Sequence, residues 1–434
     1  MSRGRSKERV ALRRPWELPD FDGRLLVLAV LACYFGALAI LGGVVFWRRL
    51  GVPHLSPSFA DMRSITAGWE CTRKGLPVLP HGCDPWNSPV NYPQLWLAPA
   101  FLGLGPSATV YLGVAAVLAF FASVWTLAGR LHPVEGVVYA AVLCSPAVML
   151  GVERGNNDLV VFALVVLALV LFRRGAVGRA IGHGLLLFAG MLKLYPSFAF
   201  GVLVRQRRSW ATAGMLTVGA VFAVYFLVTL DYIHKIERAS PQLTGYSYGA
   251  GVLADLQHIG GLGANAREAA VIVAAAAIAA VLLWRARVGP PGDPDLAGDA
   301  FCAGAGIYCG TYIFFHNFDY RLIFLVLTLP QLLRWAWQRS PPLPFPRLAL
   351  AAMTATLWLG TLLPILPPPF YRLWMLSFPL DEYLNWLLFA YLGAGLALSV
   401  LAAARWPVEA PPLSVRARER RTRGAVRLER GSIV

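Results

Sequence analysis

Long apolar runs recur along most of this chain, and they restrict its possible folds more than any other feature. Of its 434 residues, 57% are hydrophobic and only 14% are charged, against about 25% charged in a typical soluble domain. Runs of about 17 to 25 apolar residues can cross a bilayer, where helices satisfy their own backbone groups. We therefore predict an all-α polytopic membrane protein with spans near residues 24–47, 107–128, 134–150, 157–172, 210–230, 268–285, 299–315, 319–335, 347–366 and 384–404.

The basic residues lie mainly at the ends of these apolar runs. The chain has 39 Lys and Arg against 23 Asp and Glu, a net charge of +16. Arginine clusters beside membrane spans mark cytoplasmic loops, so we expect no nucleic-acid partner and both termini in the cytoplasm. This interpretation gives a basic N-terminus at 1–23, a single transmembrane domain at 24–404 and a basic tail at 405–434. The tail is topogenic, or it also lies on anionic lipid.

The stretch 180–204 has arginines near both ends, which a single crossing would place on opposite sides of the membrane. A proline interrupts a helix because it lacks the N–H group that the helix needs. We therefore predict a short broken hairpin, bent around Leu194-Tyr195-Pro196. With this hairpin, the chain forms a bundle of about 10 to 12 transmembrane helices.

The longest loop of the opposite, extracytoplasmic face is residues 48–106, and its acid Asp61 is the main candidate for chemistry. Residues 60–74 are predicted to form a short interfacial helix. This helix carries Asp61 and Arg63, and Tyr92 lies near the end of the loop.

Two of the six cysteines, Cys71 and Cys83, lie in this same loop. A disulfide forms and persists in an oxidising compartment. Two cysteines in one loop do not establish the geometry of a bridge, so both the bridged and the free form remain open at this point.

Three further polar clusters fall on the predicted outer face. They are Glu153, Asn156, Asn157 and Asp158; Lys193 and Tyr195; and His316, Asp319 and Arg321. Each has a purely structural interpretation, because Asn and Asp cap helices, lysines snorkel to the interface, and an acid and an arginine pair across a turn. However, ionisable residues at membrane depth are costly and usually face a functional cavity. We therefore keep all three clusters as candidate binding groups.

No metal motif of ordinary spacing and no glycine-rich nucleotide loop is visible in the sequence. We expect no cofactor; a divalent cation shared by Asp61 and Asp158 is the alternative. An enzyme with an outer carboxylate but no nucleotide-binding fold needs a donor that arrives through the lipid.

The order of these motifs resembles that of the GT-C glycosyltransferases. It is most similar to glycosyltransferase family 87, the polyprenyl-phosphate-mannose-dependent mannosyltransferases of bacterial envelopes. The resemblance covers roughly residues 20–340 and rests on Asp61, Tyr92-Pro93, Gly155 to Asp158 and Leu192 to Pro196. It implies a GT-C type bundle in the bacterial inner membrane, with extracytoplasmic loops forming the active site. It also implies a polyprenyl-phosphate sugar donor, an inverting reaction, Asp61 as general base and His316 near the donor phosphate.

The hypothesis that follows is a membrane glycosyltransferase that moves a sugar, mannose first, onto an envelope glycolipid or glycan. Asp61 is the predicted base. Lys193, His316, Arg321 and Arg63 are predicted to bind the donor phosphate, and Glu153, Asn156, Asn157, Asp158, Tyr92, Tyr195 and Asp319 to bind the sugar or acceptor.

The alternative function is a lipid-linked sugar flippase or a secondary transporter. Transporters place polar groups near the midplane, often on the broken helices of paired repeats. In this chain the polar groups gather at one predicted face and no repeat is visible, so the pattern favours the transferase.

Overall fold

The computed structural model describes residues 21–206, 208–240, 247–256, 263–287, 295–314, 317–362 and 371–404. Its α-helices are α1 (Gly23–Leu41), α2 (Gly43–Arg49), α3 (Ala60–Arg73), α4 (Thr109–Ala128), α5 (Pro133–Leu143), α6 (Pro146–Arg154), α7 (Asp158–Leu171), α8 (Gly175–Leu192), α9 (Arg208–Ala239), α10 (Ala250–Leu256), α11 (Ala264–Trp284), α12 (Leu296–Phe314), α13 (Leu329–Trp337), α14 (Pro346–Leu362) and α15 (Tyr371–Ala404). Helices at Gln94–Leu102, Pro106–Ala108, Tyr195–Arg205 and Asp319–Thr328 are of the 3₁₀ type. The two short strands, β1 (Ser247–Tyr248) and β2 (Asn317–Phe318), pair antiparallel. The all-α prediction is confirmed for the described residues.

Within these ranges, six helices are long and apolar enough to cross a membrane, or seven if the bent pair α5 and α6 is one span. The predicted number of about 10 to 12 is therefore not confirmed. The span predicted at 157–172 is α7, which has 14 residues and extends about 21 Å, against a hydrocarbon core of about 30 Å. The span predicted at 319–335 is divided between a 3₁₀ helix and α13. Most of the basic N-terminus at 1–23 and the tail at 405–434 lie outside the described residues.

The segment predicted as one span at 134–150 is bent by 55° between α5 and α6. Pro146 is the first residue of α6, where a proline cannot continue the hydrogen bonding of the helix before it. Helix α6 then ends at Arg154 and is capped by Gly155, whose φ of 54° is left-handed, a conformation that glycine readily adopts. The bend and the glycine cap together present Asn156 to Asp158 at the end of the bundle.

The predicted break in the stretch 180–204 lies where the sequence placed it. Helix α8 ends at Leu192, Lys193 has extended backbone angles of φ −147° and ψ 127°, and a 3₁₀ helix begins at Tyr195. Helix α8 has 18 residues and is itself long enough to cross a membrane, so it is longer than the predicted half-helix. The break leaves Lys193 at a helix end.

Helix α12 is the centre of the bundle, because its residues from Ala297 to Tyr312 are all buried. It packs on the 3₁₀ helices Tyr195–Arg205 and Asp319–Thr328, the segments that follow Lys193 and precede α13. Small residues allow this approach: a Cβ at Gly306 would lie 2.4 Å from the backbone oxygen of Phe198. Backbone atoms cannot move aside as a flexible side chain does, so Gly306 has no room for a methyl group.

We predict that Gly306→Ala lowers the free energy of unfolding in detergent by about 1 to 3 kcal/mol, because overpacking forces the backbones apart. Thermal unfolding of the purified protein measures the effect. Gly393→Ala is the matched control, since no atom outside the adjacent backbone of its own helix lies within 4 Å of its Cβ position. Equal stability of the two variants would contradict the close approach of α12 to Phe198.

Candidate active site

Helix α3 carries Asp61 in its first turn, and the predicted helix at 60–74 is confirmed. The helix begins after Phe59, whose φ of 60° is left-handed. The Phe59 ring lies against two glycines: Cβ atoms would lie 2.7 Å from it at Gly113 and 2.8 Å at Gly155. These glycines let the start of α3 approach α4 and the turn after α6, so Asp61 reaches Asn156.

The rest of α3 is held by the loop that follows it. Cys71 and Cys83 form a disulfide, which decides the alternative that the sequence left open. The Asp84 carboxylate accepts a hydrogen bond of 2.6 Å from the Ser64 hydroxyl. Both attachments lie on α3 itself, so they restrict movement of the helix that carries Asp61.

The Asn156 side chain connects Asp61 to the next part of the site. Its amide nitrogen donates a hydrogen bond to the Asp61 carboxylate. Its oxygen accepts from the Asp158 backbone nitrogen at 2.8 Å and from Lys193 Nζ at 3.3 Å. Asn156 is completely buried, and with these contacts its amide has a defined orientation toward Asp61.

Lys193 and Asp158 form a buried ion pair, and the Tyr195 hydroxyl donates to the same carboxylate oxygen. Lys193 is 5% exposed and Asp158 is 1% exposed. The Lys193 Nζ also lies 5.2 Å from the ring centre of Tyr92 and 5.9 Å from that of Tyr320. Such distances are in the range of cation–π contacts.

Arg321 lies at the other side of Tyr195. Its Cζ is 4.8 Å from the Tyr195 ring centre, and its Nη1 donates a hydrogen bond of 2.6 Å to Asn317 Oδ1. Among the residues that the structure describes, no carboxylate forms an ion pair with Arg321. The contacts from Asp61 through Asn156, Lys193 and Tyr195 to Arg321 form one continuous group.

Glu153 has protein partners on both sides of its carboxylate. Its Oε1 contacts His54 Nδ1 at 2.8 Å and accepts from the Leu55 backbone nitrogen at 3.1 Å, while Arg154 Nε lies 3.1 Å from Oε2. These contacts attach the start of the 48–106 loop to α6. Glu153 therefore anchors the loop to α6. Its predicted contact with a sugar stays a prediction.

Asp319 is oriented toward a different group of acids. Its Oδ2 would lie 2.7 Å from a Cβ at Gly360 of α14, and the Oδ2 of Asp381 would lie 3.0 Å from the same point. Glu382 is the next residue on α15, and Asp319, Asp381 and Glu382 are all buried. Asp319 therefore faces α14 and α15, and its predicted contact with the sugar or acceptor stays a prediction.

The other predicted residues have varied positions. Tyr92 packs beside Lys193. Both polar atoms of the buried Asn157 side chain lack a hydrogen-bond partner, as does Nε of Arg63. Arg63 is two residues from Asp61 on a helix, so the two side chains do not face each other. His316 lies outside the described residues.

The environment of Asp61 suits a proton acceptor. Burial raises the pKa of its carboxyl above the usual value, and Arg154, the Asn156 hydrogen bond and Lys193 act in the opposite direction. A base with a pKa nearer neutrality accepts a proton more effectively at physiological pH.

Among the described residues, no group of three or more His, Cys, Asp or Glu side chains could hold a metal ion.

Sequence reasoning did not select His54, Asn317 or Tyr320, although each contacts a predicted residue. Asn317 and Tyr320 are neighbours of Arg321 in the chain, so the aromatic and amide content of that turn was a usable signal. His54 had no such signal, because it meets Glu153 only through the fold, 99 residues apart in the chain.

One family model matches the chain: glycosyltransferase family 87, over residues 93–307. The matched range contains Asn156, Asp158 and Lys193, and it begins after Asp61 and ends before Arg321. No curated protein and no solved structure matches the chain.

We predict that Glu153→Gln lowers the free energy of unfolding by about 1 to 3 kcal/mol, because a buried carboxylate that contacts His54, the Leu55 backbone N–H and the Arg154 guanidinium is replaced. Chemical or thermal unfolding in detergent measures this loss. Glu70→Gln is the control: Glu70 pairs with Lys74, whose side chain is 60% exposed, and solvent screens such surface pairs, so we expect little change in stability. Equal effects of the two substitutions would contradict the role of Glu153 in anchoring the 48–106 loop to α6.

Proposed function

Since this chain belongs to glycosyltransferase family 87, we propose that it transfers a sugar from a polyprenyl-phosphate donor to a glycolipid or glycan acceptor. Mannose is the first candidate sugar, and the acceptor belongs to the envelope of a bacterium. The reaction takes place at the extracytoplasmic face of the inner membrane. The family and the membrane helices establish a membrane glycosyltransferase; the donor, acceptor and mechanism are our proposal.

The observation that carries the proposal is that one connected group contains an oriented carboxylate, Asp61, and a cation that forms no ion pair among the described residues, Arg321. Asp61 is oriented by Asn156, and Arg321 has its hydrogen bond to Asn317 but no carboxylate partner among the described residues. Guanidinium groups bind phosphate by two parallel hydrogen bonds. A transferase that uses a lipid phosphate as leaving group needs a base at one side of the sugar and such a cation at the other.

The proposed reaction is a single inverting displacement. Asp61 accepts the proton of the acceptor hydroxyl as its oxygen forms a bond to C1 of the sugar. The bond from C1 to the donor phosphate breaks, and its electron pair leaves with polyprenyl phosphate. Arg321 stabilises the charge that develops on this phosphate, which is the usual role of a cation at a leaving group. His316 and Arg63 are further proposed phosphate contacts, and Asn157 with its unpartnered buried amide is a proposed sugar contact.

We predict that Asp61→Asn reduces kcat by about 10² to 10⁴, the usual contribution of a general base, with little loss of donor binding. The assay incubates the purified protein with a labelled polyprenyl-phosphate sugar and an acceptor extract, and follows free polyprenyl phosphate and glycosylated product. Asp231→Asn is the matched control, because the Asp231 side chain is 84% exposed and paired with Lys235. Full activity of Asp61→Asn would exclude Asp61 as the base.

The same assay in sealed liposomes separates the proposed function from a lipid-linked sugar flippase. A transferase releases polyprenyl phosphate. A flippase changes only the leaflet in which the intact donor lies, and that result alone would contradict the proposal.

We predict a rate that falls on acidification at a pH above the usual Asp pKa of about 3.9, because burial raises the pKa of the Asp61 carboxyl. The base works only when ionised, so activity is lost as the pH falls through that raised pKa. Asn156→Ala removes a hydrogen bond that lowers the pKa of Asp61, and it shifts the acid limb to higher pH. The pH profile of kcat in both proteins measures the shift. An unchanged limb would contradict the orienting role of Asn156.

A further inference from the structure

Lys193 is the most completely enclosed cation of the site. Its Nζ forms the ion pair with Asp158 and donates to Asn156 Oδ1 at 3.3 Å. Around the remaining directions lie the ring centres of Tyr92 at 5.2 Å, Tyr195 at 5.8 Å and Tyr320 at 5.9 Å. An ammonium group has three donors, and two of them already have partners in the protein.

The charge of Lys193 is also compensated. A phosphate that used Lys193 would have to separate it from Asp158, whose carboxylate is 1% exposed. Removing one partner from a buried ion pair leaves the other charge uncompensated in an apolar surrounding, which is strongly unfavourable. Lys193 is therefore poorly suited to receive an anionic ligand that arrives and leaves in every catalytic cycle.

Arg321 has the opposite properties. A guanidinium has five N–H donors in a planar fork, and the Nη1 of Arg321 donates to Asn317. Its Nε is buried without a partner, and no described carboxylate forms an ion pair with it. Asp158 acts on Arg321 electrostatically without forming an ion pair with it, so an entering phosphate can supply a direct ion-pair partner and the acceptor that Nε lacks.

We infer that Lys193 is a positioning residue, which together with Asp158 holds Asn156 against Asp61, and that Arg321 is the cation that receives the donor phosphate. This inference rests on the proposed function and divides the cations that the sequence grouped together. Lys193 acts through Asn156, whose oxygen it contacts while the amide nitrogen of Asn156 donates to Asp61. Loss of Lys193 therefore changes the orientation and ionisation of Asp61, the base, whereas loss of Arg321 changes the affinity for the donor.

The first experiment compares Lys193→Met with Arg321→Met, two replacements of a cation by a flexible apolar side chain. The probe is polyprenyl phosphate bound to the protein in nanodiscs, with the uncharged polyprenol as control for the lipid tail. We expect Arg321→Met to weaken polyprenyl phosphate binding by about tenfold or more, as loss of a charge-assisted bidentate contact does, without weakening polyprenol. We expect Lys193→Met to change affinity by less than about threefold while kcat falls by about 10²-fold, the lower end of a base contribution.

Lys193→Met leaves Asp158 without its partner and is at risk of misfolding. The double variant Lys193→Met, Asp158→Asn removes both charges, and the oxygen of the introduced amide can still accept a hydrogen bond from the Tyr195 hydroxyl. We expect this variant to bind polyprenyl phosphate with unchanged affinity and to transfer at least about tenfold more slowly, because the Lys193 contact to Asn156 is lost. Loss of polyprenyl phosphate binding in either Lys193 variant, equal to that in Arg321→Met, would overturn the inference.

A second readout needs no substrate. Carbodiimides modify carboxyl groups in their protonated form, so the pH dependence of Asp61 labelling, followed by mass spectrometry, reports the ionisation of Asp61. Lys193 lowers the pKa of the Asp61 carboxyl, and Lys193→Met shifts the labelling midpoint to higher pH, whereas Arg321→Met leaves it nearly unchanged. An unshifted midpoint in a folded Lys193→Met protein would refute the positioning role. Failure of the unmodified protein to transfer from any polyprenyl-phosphate sugar would instead refute the proposed function, whatever the labelling shows.

Discussion

A lysine and an aspartate buried in an apolar bundle are tolerable only as partners, and the ion pair between Lys193 and Asp158 is the contact on which the site depends. Each charge alone would be strongly unfavourable in this surrounding. The pair joins the start of α7 to the break after α8, two segments that the chain separates by 35 residues. Because Asn156 contacts both Lys193 and Asp158, the orientation of its amide toward Asp61 follows from the same pair.

Most polar residues of the site lie at breaks between helices. Pro146 interrupts the α5 to α6 path, Gly155 ends α6 in a left-handed conformation, and a 3₁₀ helix begins at Tyr195 after α8 has ended. A helix end exposes backbone groups that a continuous span would satisfy, so polar residues collect there. The buried helix α12 packs against the 3₁₀ helix that begins at Tyr195, and its glycines permit the two backbones to approach closely.

The charges of the site fall into two classes with different chemical consequences. Lys193 and Glu153 form ion pairs with Asp158 and Arg154 respectively, and in our proposal they maintain the geometry of the site. Arg321 forms no ion pair among the described residues, and the Asp61 carboxylate accepts a hydrogen bond from the Asn156 amide. A substrate can supply the direct partners that these two groups lack, and our proposal therefore places the donor phosphate at Arg321 and the acceptor hydroxyl at Asp61.

Hydropathy, proline chemistry and local motifs are properties of short segments, so the sequence was enough to predict an all-α membrane protein, the break near Leu194 and the resemblance to glycosyltransferase family 87, although not the number of spans. It also selected most residues of the candidate site. Their partners came from the folded structure: Glu153 contacts His54, Asp319 faces Asp381, Lys193 pairs with Asp158, and Cys71 is bridged to Cys83. Apart from the disulfide, these pairings join residues that are far apart in the chain, and whether a charge is compensated depends on which segments pack together.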